Sequence, residues 1–485
     1  MSLEHEKTVT ENADGTYDFY NCDFNEAKDL SGDSLKKILP GGEKNEVFKA
    51  YLDTIAVYAN ALEQENIPVI FRPFHEDTGG WFWWGSANTA ESYKSLYAYT
   101  RDYLESKGVH NMLYVYSPNG PLETEAEYMS RYPGDACVDI LAFDYYNDFN
   151  TYPAESDTSF FDHLDQTCQV VSSLAKQHNK LAAISETGVR VMKKDGSDNE
   201  GLLVKNNPVS EAKSGVNWYQ KVNDIAKKND MPYYMVWANF SDTNFYVPYK
   251  YSDTMGQEMI NDFISYYNNE DSVFGNGTNF YGDIDKYAGV KTDNYKDVSG
   301  YMVAPFDMDT ILKPTVLKAS VSNAGEVSFV VKDTAKGKQL TLPAAKGSDG
   351  FYTAQLTQEE MDQIGKTDVA EIALVADGKT LSAITNLSIG KEKDKAPAGV
   401  LENFDYYVGS NGLLDAAYGG NSAAGCSSSF TLDQEHKADG TYGAAFHYKL
   451  KTTGSEVWTG LVNASLGNTD FSAYNALKFW TKLDG

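Results

Sequence analysis

The chain has 485 residues, of which 42% are hydrophobic and 13% aromatic, and its formal net charge at pH 7 is −28. This length exceeds one ordinary domain and predicts two to four domains. The acidic charge argues against nucleic acid or an anionic membrane surface as a partner, and no stretch approaches the length of apolar sequence that a membrane span requires.

Residues 1–44 are turn-rich and polar, and they contain no apolar core of a signal peptide. From about residue 45 to residue 268, strand-like and helical patterns alternate. The strand-like runs are short and nearly continuous in apolar residues, as expected of parallel strands that are buried on both faces. These five runs are Ile67–Arg72, Met112–Ser117, Val138–Asp144, Leu181–Glu186 and Tyr233–Ala238.

Helical patterns lie between the strand-like runs. Apolar residues recur at helical spacing over Phe48–Leu62, Phe160–Leu174, Val216–Ala226 and Met259–Tyr267. Asn88, with a glutamate three positions later, predicts the capped start of a further helix. The repeated βα units predict a parallel α/β fold. Polar residues follow strand after strand, which favours a (β/α)₈ TIM barrel over an open doubly wound sheet.

A closed barrel of this type needs eight strands, whereas the sequence offers five, the first of them near residue 67. We therefore expect that three strands precede residue 1, together with a secretion signal, and that the protein is extracellular. An open barrel exposes unpaired strand edges, so a chain without those strands is expected to be weakly active or inactive.

After about residue 312 the pattern changes to short alternating stretches, such as Val316–Val321 and Glu326–Val331, separated by turn residues. These stretches predict a small all-β sandwich. A charged linker, Lys391–Gly399, leads to a second β-rich segment that is rich in glycine and aromatic residues. That segment ends at residue 485 before a full sandwich could close, and we expect it to be incomplete at its C-terminus.

Two glutamates end two different predicted strands. Glu76 closes the segment Arg72–Glu76, directly after the first strand-like run, and Glu186 closes the run Leu181–Glu186. In a TIM barrel the C-terminal ends of the strands converge on one face, so these carboxyl groups are expected to meet there. Retaining glycoside hydrolysis requires two carboxyl groups roughly 5–5.5 Å apart, one as acid/base and one as nucleophile.

The neighbours of each glutamate indicate its role. Glu76 stands beside His75 and an aromatic run, and because an apolar surround raises the pKa of a carboxyl group, it is the predicted acid/base. Glu186 stands between Ser185 and Thr187, whose hydroxyl groups are expected to stabilise its anion. It is therefore the predicted nucleophile.

Aromatic residues near the strand ends are candidates for contact with sugar rings. Trp81, Trp83 and Trp84 follow the first glutamate closely, although at least one or two of the three are expected to pack in a core instead. Tyr146 is a candidate hydrogen-bond donor to the nucleophile, and Trp237 is a candidate floor for the subsite of cleavage. Ordinary core packing is the alternative for each of them.

Two further polar residues flank the first glutamate. His75 is predicted to orient Glu76 or to contact sugar hydroxyl groups, with a core histidine as the alternative. Arg72 is expected to be structural and to neutralise buried carboxylates. The four cysteines match no zinc spacing, and we predict neither a metal nor a cofactor.

Several motifs together resemble glycoside hydrolase family 26, which is dominated by endo-β-1,4-mannanases, over roughly residues 1–310. They are RPFHE (72–76), GWFWWG (80–85), YSPN (116–119), FDYY (143–146), SETG (185–188), VWAN (236–239) and FYVPY (245–249). The resemblance implies a (β/α)₈ barrel and double-displacement chemistry, with Glu76 as acid/base after strand four and Glu186 as nucleophile after strand seven. It also implies that His75, Trp81, Tyr146 and Trp237 bind the substrate.

Three positions depart from the family pattern. Asp77-Thr78 stand where Met-Asn or a similar pair is frequent. Ala238 stands where many members have an arginine after the last-strand tryptophan, so the resemblance does not extend to the outer subsites that this arginine serves.

The C-terminal segments carry weaker resemblances. The middle segment is similar to an immunoglobulin-like spacer, and the last, which contains Trp458–Gly460 and Ala473–Trp480, is similar to a mannan-type carbohydrate-binding module. The alternative for the last segment is another spacer. The predicted domains are therefore a catalytic barrel over 1–312, a sandwich over 313–391 and a carbohydrate-binding sandwich-like domain over 392–485.

The predicted partner is β-mannan or a related plant polysaccharide. Two alternatives stay open. The substrate could be a β-1,3-1,4-glucan or a β-xylan, as in other members of the family, or the protein could be a non-catalytic carbohydrate-binding or scaffold protein.

Overall fold

The computed structural model describes residues 10–14, 17–18, 34–86, 88–148, 158–190, 203–205, 217–239, 246–247, 255–257, 259–274, 297–392, 400–407, 411, 414, 417–422, 426–451, 457–463, 472 and 475–482. Parts of three sequence predictions lie outside these residues: most of the charged linker, three residues of the FYVPY motif and the start of the last aromatic segment. None of the described helices combines the length and the apolar character that crossing a bilayer requires.

The described helices and strands follow one another along the chain in three stretches. Up to residue 148 they are β1 (Thr10–Glu11), β2 (Tyr17–Asp18), α1 (Ser34–Ile38), α2 (Asn45–Gln64), β3 (Val69–Phe71), α3 (Ala90–Ser106), β4 (Met112–Tyr116), α4 (Glu125–Met129) and β5 (Ile140–Asp148). Then come α5 (Thr158–Gln177), β6 (Leu181–Arg190), β7 (Leu203–Lys205), α6 (Trp218–Lys228), β8 (Tyr234–Val236), β9 (Met255–Gln257) and α7 (Ile260–Tyr267). The remainder are β10 (Ser299–Ala304), β11 (Thr310–Ile311), β12 (Thr315–Ser322), β13 (Val327–Asp333), β14 (Gln339–Pro343), β15 (Ala345–Lys346), β16 (Tyr352–Leu356), α8 (Gln358–Ile364), β17 (Thr367–Ala376), β18 (Lys379–Ile389), β19 (Tyr418–Ser422), β20 (Ser427–Asp433), β21 (Gly443–Lys449) and β22 (Thr459–Asn463).

The chain divides into two compact units. Residues 66–78 and 111–296 form the first, here called the α/β unit, and the rest of the chain forms the second, here called the sandwich unit. The α/β unit is built on a five-stranded parallel sheet in the order β3-β4-β5-β6-β8. The spatial order of these strands follows their order in the chain without reversal, as in a TIM barrel, whereas a doubly wound sheet reverses at a switch point. The predicted parallel α/β fold is confirmed as a TIM-like half-barrel of five strands.

The strand β5 lies at the centre of this sheet. Its residues Ile140, Leu141, Ala142 and Phe143 are at most 1% exposed, which explains why its sequence is a continuous apolar run. The strands β5 and β6 extend four residues beyond the predicted ends. Their ladder continues after the apolar residues stop, so hydrophobicity alone marks the end of each strand too early.

The sandwich unit contains the predicted all-β region. A four-stranded sheet in the order β10-β12-β16-β15 and a five-stranded sheet in the order β11-β18-β17-β13-β14 enclose a core that includes Leu317, Phe329 and Leu374, all 0% exposed. The all-β sandwich is confirmed. Strands β10 and β11 precede residue 312, the predicted end of the barrel, and they pair with β12 and β18 of the two sandwich sheets. The three domain boundaries themselves stay predictions.

The helix α3 also belongs to the sandwich unit, and its cap differs from the prediction. Thr89, not Asn88, is the N-cap residue, and its hydroxyl accepts a hydrogen bond from the Ser92 N–H at 3.2 Å. Asn88 is 2% exposed, and its amide donates to the backbone oxygens of Trp83 and Gly85. Asn88 therefore braces the aromatic turn before the helix, which leaves the capping position to its neighbour.

The C-terminal segment contains two antiparallel pairs, β19 with β22 and β20 with β21. Phe430 lies at the middle of β20, opposite Phe446, with ring centroids 5.5 Å apart. The predicted β-rich, aromatic character of this segment is confirmed for the residues that the structure describes here.

Candidate active site

The register between β5 and β6 sets the geometry of the candidate site. Asp144 pairs with Glu186 and Tyr146 pairs with Gly188 across the two parallel strands. A β-bulge lies just before this pairing, because Phe143 is matched with Ile184 and Ser185 is the extra residue. Bulges bend a strand and re-aim its side chains, and they are frequent beside active sites. The bulge thus brings two acidic residues side by side on neighbouring strands.

Arg72 connects these two carboxylates. It follows β3 directly, and its Nη1 donates to Asp144 Oδ2 at 2.9 Å and to Ser117 Oγ at 3.1 Å. Its Nη2 donates to Glu186 Oε1. Burial lowers the pKa of Arg72, but Asp144 and Glu186 raise it more, so the net shift is upward. The predicted role of Arg72, neutralising buried carboxylates, is confirmed.

Asp144 is the most deeply buried acid of the cluster, at 0% exposure. Ser185 Oγ donates to its Oδ1 at 2.7 Å, and Ser117 Oγ lies 3.3 Å from both of its oxygens. Burial raises the pKa of Asp144 well above its ordinary value, the negative charges of Glu186 and Glu76 add to the rise, and Arg72 opposes it. Asp144 therefore fixes Arg72 from a position that solvent does not reach.

Glu186 is 4% exposed and receives donors from two directions. Arg72 binds Oε1, and the hydroxyl of Tyr146 donates to Oε2 at 2.6 Å. The expectation that Ser185 and Thr187 supply these donors is wrong for Ser185, whose hydroxyl group binds Asp144 instead. The bulge turns the serine toward the neighbouring strand, so the anion is stabilised by residues that are distant in sequence.

His75 lies against the same carboxylates. One of its ring nitrogens and one carboxylate oxygen each from Asp144 and Glu186 all lie within 4.8 Å of one another. Burial, and then the positive charge of Arg72, lower the pKa of His75 to about 4, so the ring is neutral near pH 7. Three such ligand atoms could hold a cation, but Arg72 already supplies the positive charge here, and we assign no metal to the cluster.

Glu76 lies five residues after the end of β3, in the loop that follows this strand and in the same unit as Glu186. Its backbone has φ +52°, and its N–H donates to the Ser117 oxygen at 2.8 Å, which ties it to the C-terminal end of β4. The side chain is half-buried. Its charge contributes to the raised pKa of Asp144, so it acts on the same cluster. The structure thus brings both predicted glutamates to the C-terminal edge of the parallel sheet.

The two predicted tryptophans have different positions. Trp237 follows β8 and is half-buried. Its backbone N–H donates to the backbone oxygen of Thr187 at 2.9 Å, which places it beside the residue that follows Glu186. Trp81 belongs to the sandwich unit, where it is 39% exposed and lies edge-on to Phe82. Its neighbours Trp83 and Trp84 are buried at 4% and 9% exposure, which confirms that part of the aromatic run is core packing.

The packing behind Tyr146 is a feature of the site that the sequence did not predict. The Tyr246 ring lies edge-on to the Tyr146 ring, with centroids 5.5 Å apart. A Cβ on Gly188 would lie 2.1 Å from Tyr246 Cδ1, so only glycine fits at this position. Tyr246 is held in turn by its backbone oxygen, which accepts from the Tyr219 hydroxyl at 2.6 Å. The glycine of the SETG motif was the available signal.

Asp144 was also not predicted as a site residue. The available signal was its position at the end of a predicted apolar run, because an acidic residue at the end of a buried strand is a candidate for a paired interior carboxylate. The cluster combines a carboxylate with two donors, Glu186, a second carboxyl group, Glu76, in the loop after β3, and the neutral imidazole of His75. Two carboxyl groups are what acid/base and nucleophilic chemistry on a glycosidic bond requires.

Comparison with known proteins finds relatives that are named as mannanases. The chain is 26% identical to a mannan endo-1,4-beta-mannosidase of Bifidobacterium adolescentis, over 96% of this chain and 45% of that protein. It is 35% identical to a mannan endo-1,4-beta-mannosidase of Bacillus subtilis, over 24% of this chain and 34% of that protein. The chain therefore spans less than half the length of these relatives.

A solved structure gives the same result at the level of the fold. The modular endo-beta-1,4-mannanase from Cellulomonas fimi superposes with a TM-score of 0.56 at 26% identity, covering 74% of this chain and 73% of that one. Residues 24–228 match the model of glycosyl hydrolase family 26. This segment contains both glutamates, Arg72 and Tyr146, and it is the part of the chain that is similar to glycosyl hydrolase family 26.

Proposed function

We propose that the protein is an endo-acting retaining glycoside hydrolase that cleaves β-1,4-mannosidic bonds by double displacement. The observation that carries the proposal is the setting of Glu186: a buried carboxylate at the C-terminal edge of a parallel sheet, bound by Arg72 and by Tyr146. A carboxylate with one donor on each oxygen is held in one orientation, which is what a nucleophile needs.

The first step is attack by Glu186 on the anomeric carbon. As its carboxylate oxygen forms the new bond, the glycosidic C–O bond breaks, and the carboxyl of Glu76 gives its proton to the leaving oxygen. In the second step the Glu76 carboxylate takes a proton from water, and that water displaces Glu186 from the sugar. The net reaction consumes one water, and both glutamates return to their starting forms.

The remaining predicted site residues have supporting roles in this proposal. Tyr146 and Arg72 bind the Glu186 carboxylate before its attack and again after the sugar is released. His75, uncharged near pH 7, contacts a sugar hydroxyl group. Trp237, half-buried beside Thr187, and Trp81, 39% exposed, present faces on which sugar rings stack.

The substrate assignment to β-mannan rests on the mannanases that the chain resembles. Ala238, exposed two residues after β8, stands where many family members have an arginine, so β-1,3-1,4-glucan and β-xylan are the substrates to compare. We further propose that the segment from residue 400 binds carbohydrate, for which the exposed rings of Tyr448 and Trp458, at 65% and 46%, are available, and that the protein acts outside the cell.

The experiment is hydrolysis of linear β-1,4-mannan, lichenan and xylan by the purified chain, with proton NMR of the first products. Retention of configuration and shortening of mannan are expected, and inversion would overturn the mechanism. A 2-deoxy-2-fluoro-β-mannosyl fluoride should label Glu186, which peptide mass spectrometry detects even when turnover is slow. Unchanged mannan cleavage by Glu186→Ala would overturn the nucleophile assignment, and mannan binding without cleavage or labelling would favour the non-catalytic alternative.

A further inference from the structure

Asp77, the residue directly after Glu76, is one of the most deeply buried charged groups in the α/β unit. It is 0% exposed, and its Oδ2 accepts a hydrogen bond from Arg131 Nε at 2.8 Å. The Arg131 side chain is only 11% exposed, so this is an ion pair inside the protein. Burial raises the pKa of Asp77 to about 6, with Arg131 opposing the rise, and the carboxylate is therefore ionised near pH 7.

The ion pair joins two segments that otherwise lie apart in the chain. Asp77 belongs to the loop after β3, and Arg131 lies two residues beyond the end of α4. Burying two charges is costly, and such a pair adds little to stability compared with an apolar pair of the same shape. Its presence next to a proposed catalytic residue therefore calls for a role other than stability alone.

The backbone between these contacts is strained. Glu76 has φ +52° and Phe74 has φ +55°, which is the left-handed region that non-glycine residues rarely adopt. Such conformations persist only where the surroundings hold them, and they concentrate at functional sites. Contacts of this kind are present at Glu76 itself and at the two residues that follow it.

Three contacts fix the segment. The Glu76 N–H binds the Ser117 oxygen at 2.8 Å. Thr78 Oγ1 donates to the Asn119 oxygen at 3.2 Å and accepts from the Asn119 N–H at 3.0 Å. The third is the ion pair of Asp77. The first two contacts bind the segment to the end of β4, and the ion pair binds it to the residues that follow α4. Together they hold the Glu76 backbone in its left-handed conformation.

We propose that the Asp77–Arg131 ion pair is a positioning device for Glu76, required for proton transfer to the leaving group rather than for attack by Glu186. This inference rests on the proposed function, in which Glu76 is the acid/base. A general acid must lie within hydrogen-bond reach of the oxygen it protonates. A displacement of about 1 Å costs on the order of 10²-fold in rate, so a small relaxation of residue 77 is enough to matter.

The test uses the dependence of the rate on the leaving group. A 2,4-dinitrophenolate leaves without protonation, whereas the sugar hydroxyl leaving from mannohexaose needs a proton. Release of dinitrophenolate from 2,4-dinitrophenyl β-mannobioside, followed before steady state, reports attack by Glu186 alone. For Asp77→Asn we expect that rate to stay within about 3-fold of the unaltered protein, while mannohexaose cleavage falls by roughly 10²-fold.

Two further readouts separate positioning from a purely structural role. Glu76→Ala should show the same selective loss. Azide, a nucleophile that needs no base, should accelerate steady-state turnover of the dinitrophenyl substrate in both variants. Arg131→Lys keeps the charge but not the Nε geometry, so it should give a smaller loss of the same selectivity and serves where Asp77→Asn folds poorly.

The matched control is Asp139→Asn. Asp139 accepts the Tyr114 N–H at 2.8 Å and precedes β5, at the end of the sheet away from the glutamates. It should leave the ratio of the two substrate rates unchanged. An equal loss on both substrates in Asp77→Asn and Arg131→Lys, or no loss on mannohexaose, would overturn the positioning role while leaving the proposed function intact. No reaction of either substrate with the unaltered protein would overturn both.

Discussion

Removal of Arg72 is the perturbation whose size follows most directly from the structure. Its guanidinium is the counter-charge of Asp144, 0% exposed, and of Glu186, 4% exposed. Removing one partner of a buried ion pair leaves an uncompensated charge and costs about 3–5 kcal/mol. An exposed pair contributes only about 0–1 kcal/mol, so burial decides the magnitude. We therefore expect Arg72→Met to lower the local free energy of unfolding of β5 and β6 by about 3–5 kcal/mol near pH 7.

The same argument fixes the sign of the pH dependence. Burial and the charges of Glu186 and Glu76 raise the pKa of Asp144, and Arg72 opposes them, so this pKa rises further in Arg72→Met. A carboxyl group with a raised folded-state pKa contributes stability below its unfolded pKa and loses it as pH rises through the folded pKa. The variant should therefore be closest to the unaltered protein at about pH 4, near the unfolded-state pKa of an aspartate, and should fall further below it as the pH rises.

The assay is amide hydrogen exchange of peptides from β5 and β6, because a whole-chain melting curve would combine two compact units. After correction for intrinsic rates, Arg72→Met should exchange about 2 × 10²- to 4 × 10³-fold faster near pH 7. Adding Asp144→Asn should recover about 1–3 kcal/mol as a coupling energy. A deficit that does not change with pH, or strictly additive single changes, would refute the counter-charge argument.

Three further changes have defined outcomes. Gly188→Ala places a Cβ 2.1 Å from Tyr246 Cδ1. Alanine is normally up to about 1 kcal/mol more stable than glycine in a strand, but the clash outweighs this gain. Hydrogen exchange in β6 should therefore show a destabilisation of about 1–3 kcal/mol. Tyr146→Phe removes the 2.6 Å hydrogen bond to Glu186, worth about 1.5–3 kcal/mol, and should lower kcat on mannohexaose by roughly 10–100-fold. Asp307, whose pKa burial raises to about 6, should make the sandwich unit lose up to about 3 kcal/mol as pH rises from about 4 to 7, and Asp307→Asn should flatten that loss as measured by amide hydrogen exchange of peptides from β18.

Each of these has a control or an opposing outcome. Gly120→Ala, whose Cβ would meet nothing closer than 3.4 Å, should be tolerated, and equal effects at both glycines would contradict the steric argument. Tyr145→Phe keeps a ring stacked 5.1 Å from Phe160 and should retain kcat. If the protection of β18 in Asp307→Asn falls with pH as steeply as in the unaltered protein, Asp307 is not the cause.

The α/β fold was predictable because buried parallel strands leave a local signature. Five apolar runs gave the five strands of the sheet, and helical periodicity gave the helices between them. The ends were less accurate: β5 and β6 continue four residues beyond the apolar runs, since their ladder hydrogen bonds do not depend on side-chain hydrophobicity. The cap of α3 was misplaced by one residue because Asn88 serves the preceding turn.

In the candidate site, the residue types were predictable and their partners were not. Glu76, Glu186 and Tyr146 stood out at strand ends, and the structure places all three in the α/β unit. The interior carboxylate Asp144 and the ion pair of Asp77 with Arg131 were absent from the sequence reasoning. Both are contacts between segments far apart in the chain, which no local pattern records.

The sequence by itself determined the alternation of strands and helices, the two glutamates and the family motifs, because each is written in a few consecutive residues. Only the tertiary structure decided that Ser185 serves Asp144 and that Tyr146 and Arg72 serve Glu186. The physical reason is register: a bulge of one residue redirects the side chains that follow it, and the pairing that places the bulge is set between strands rather than along the chain.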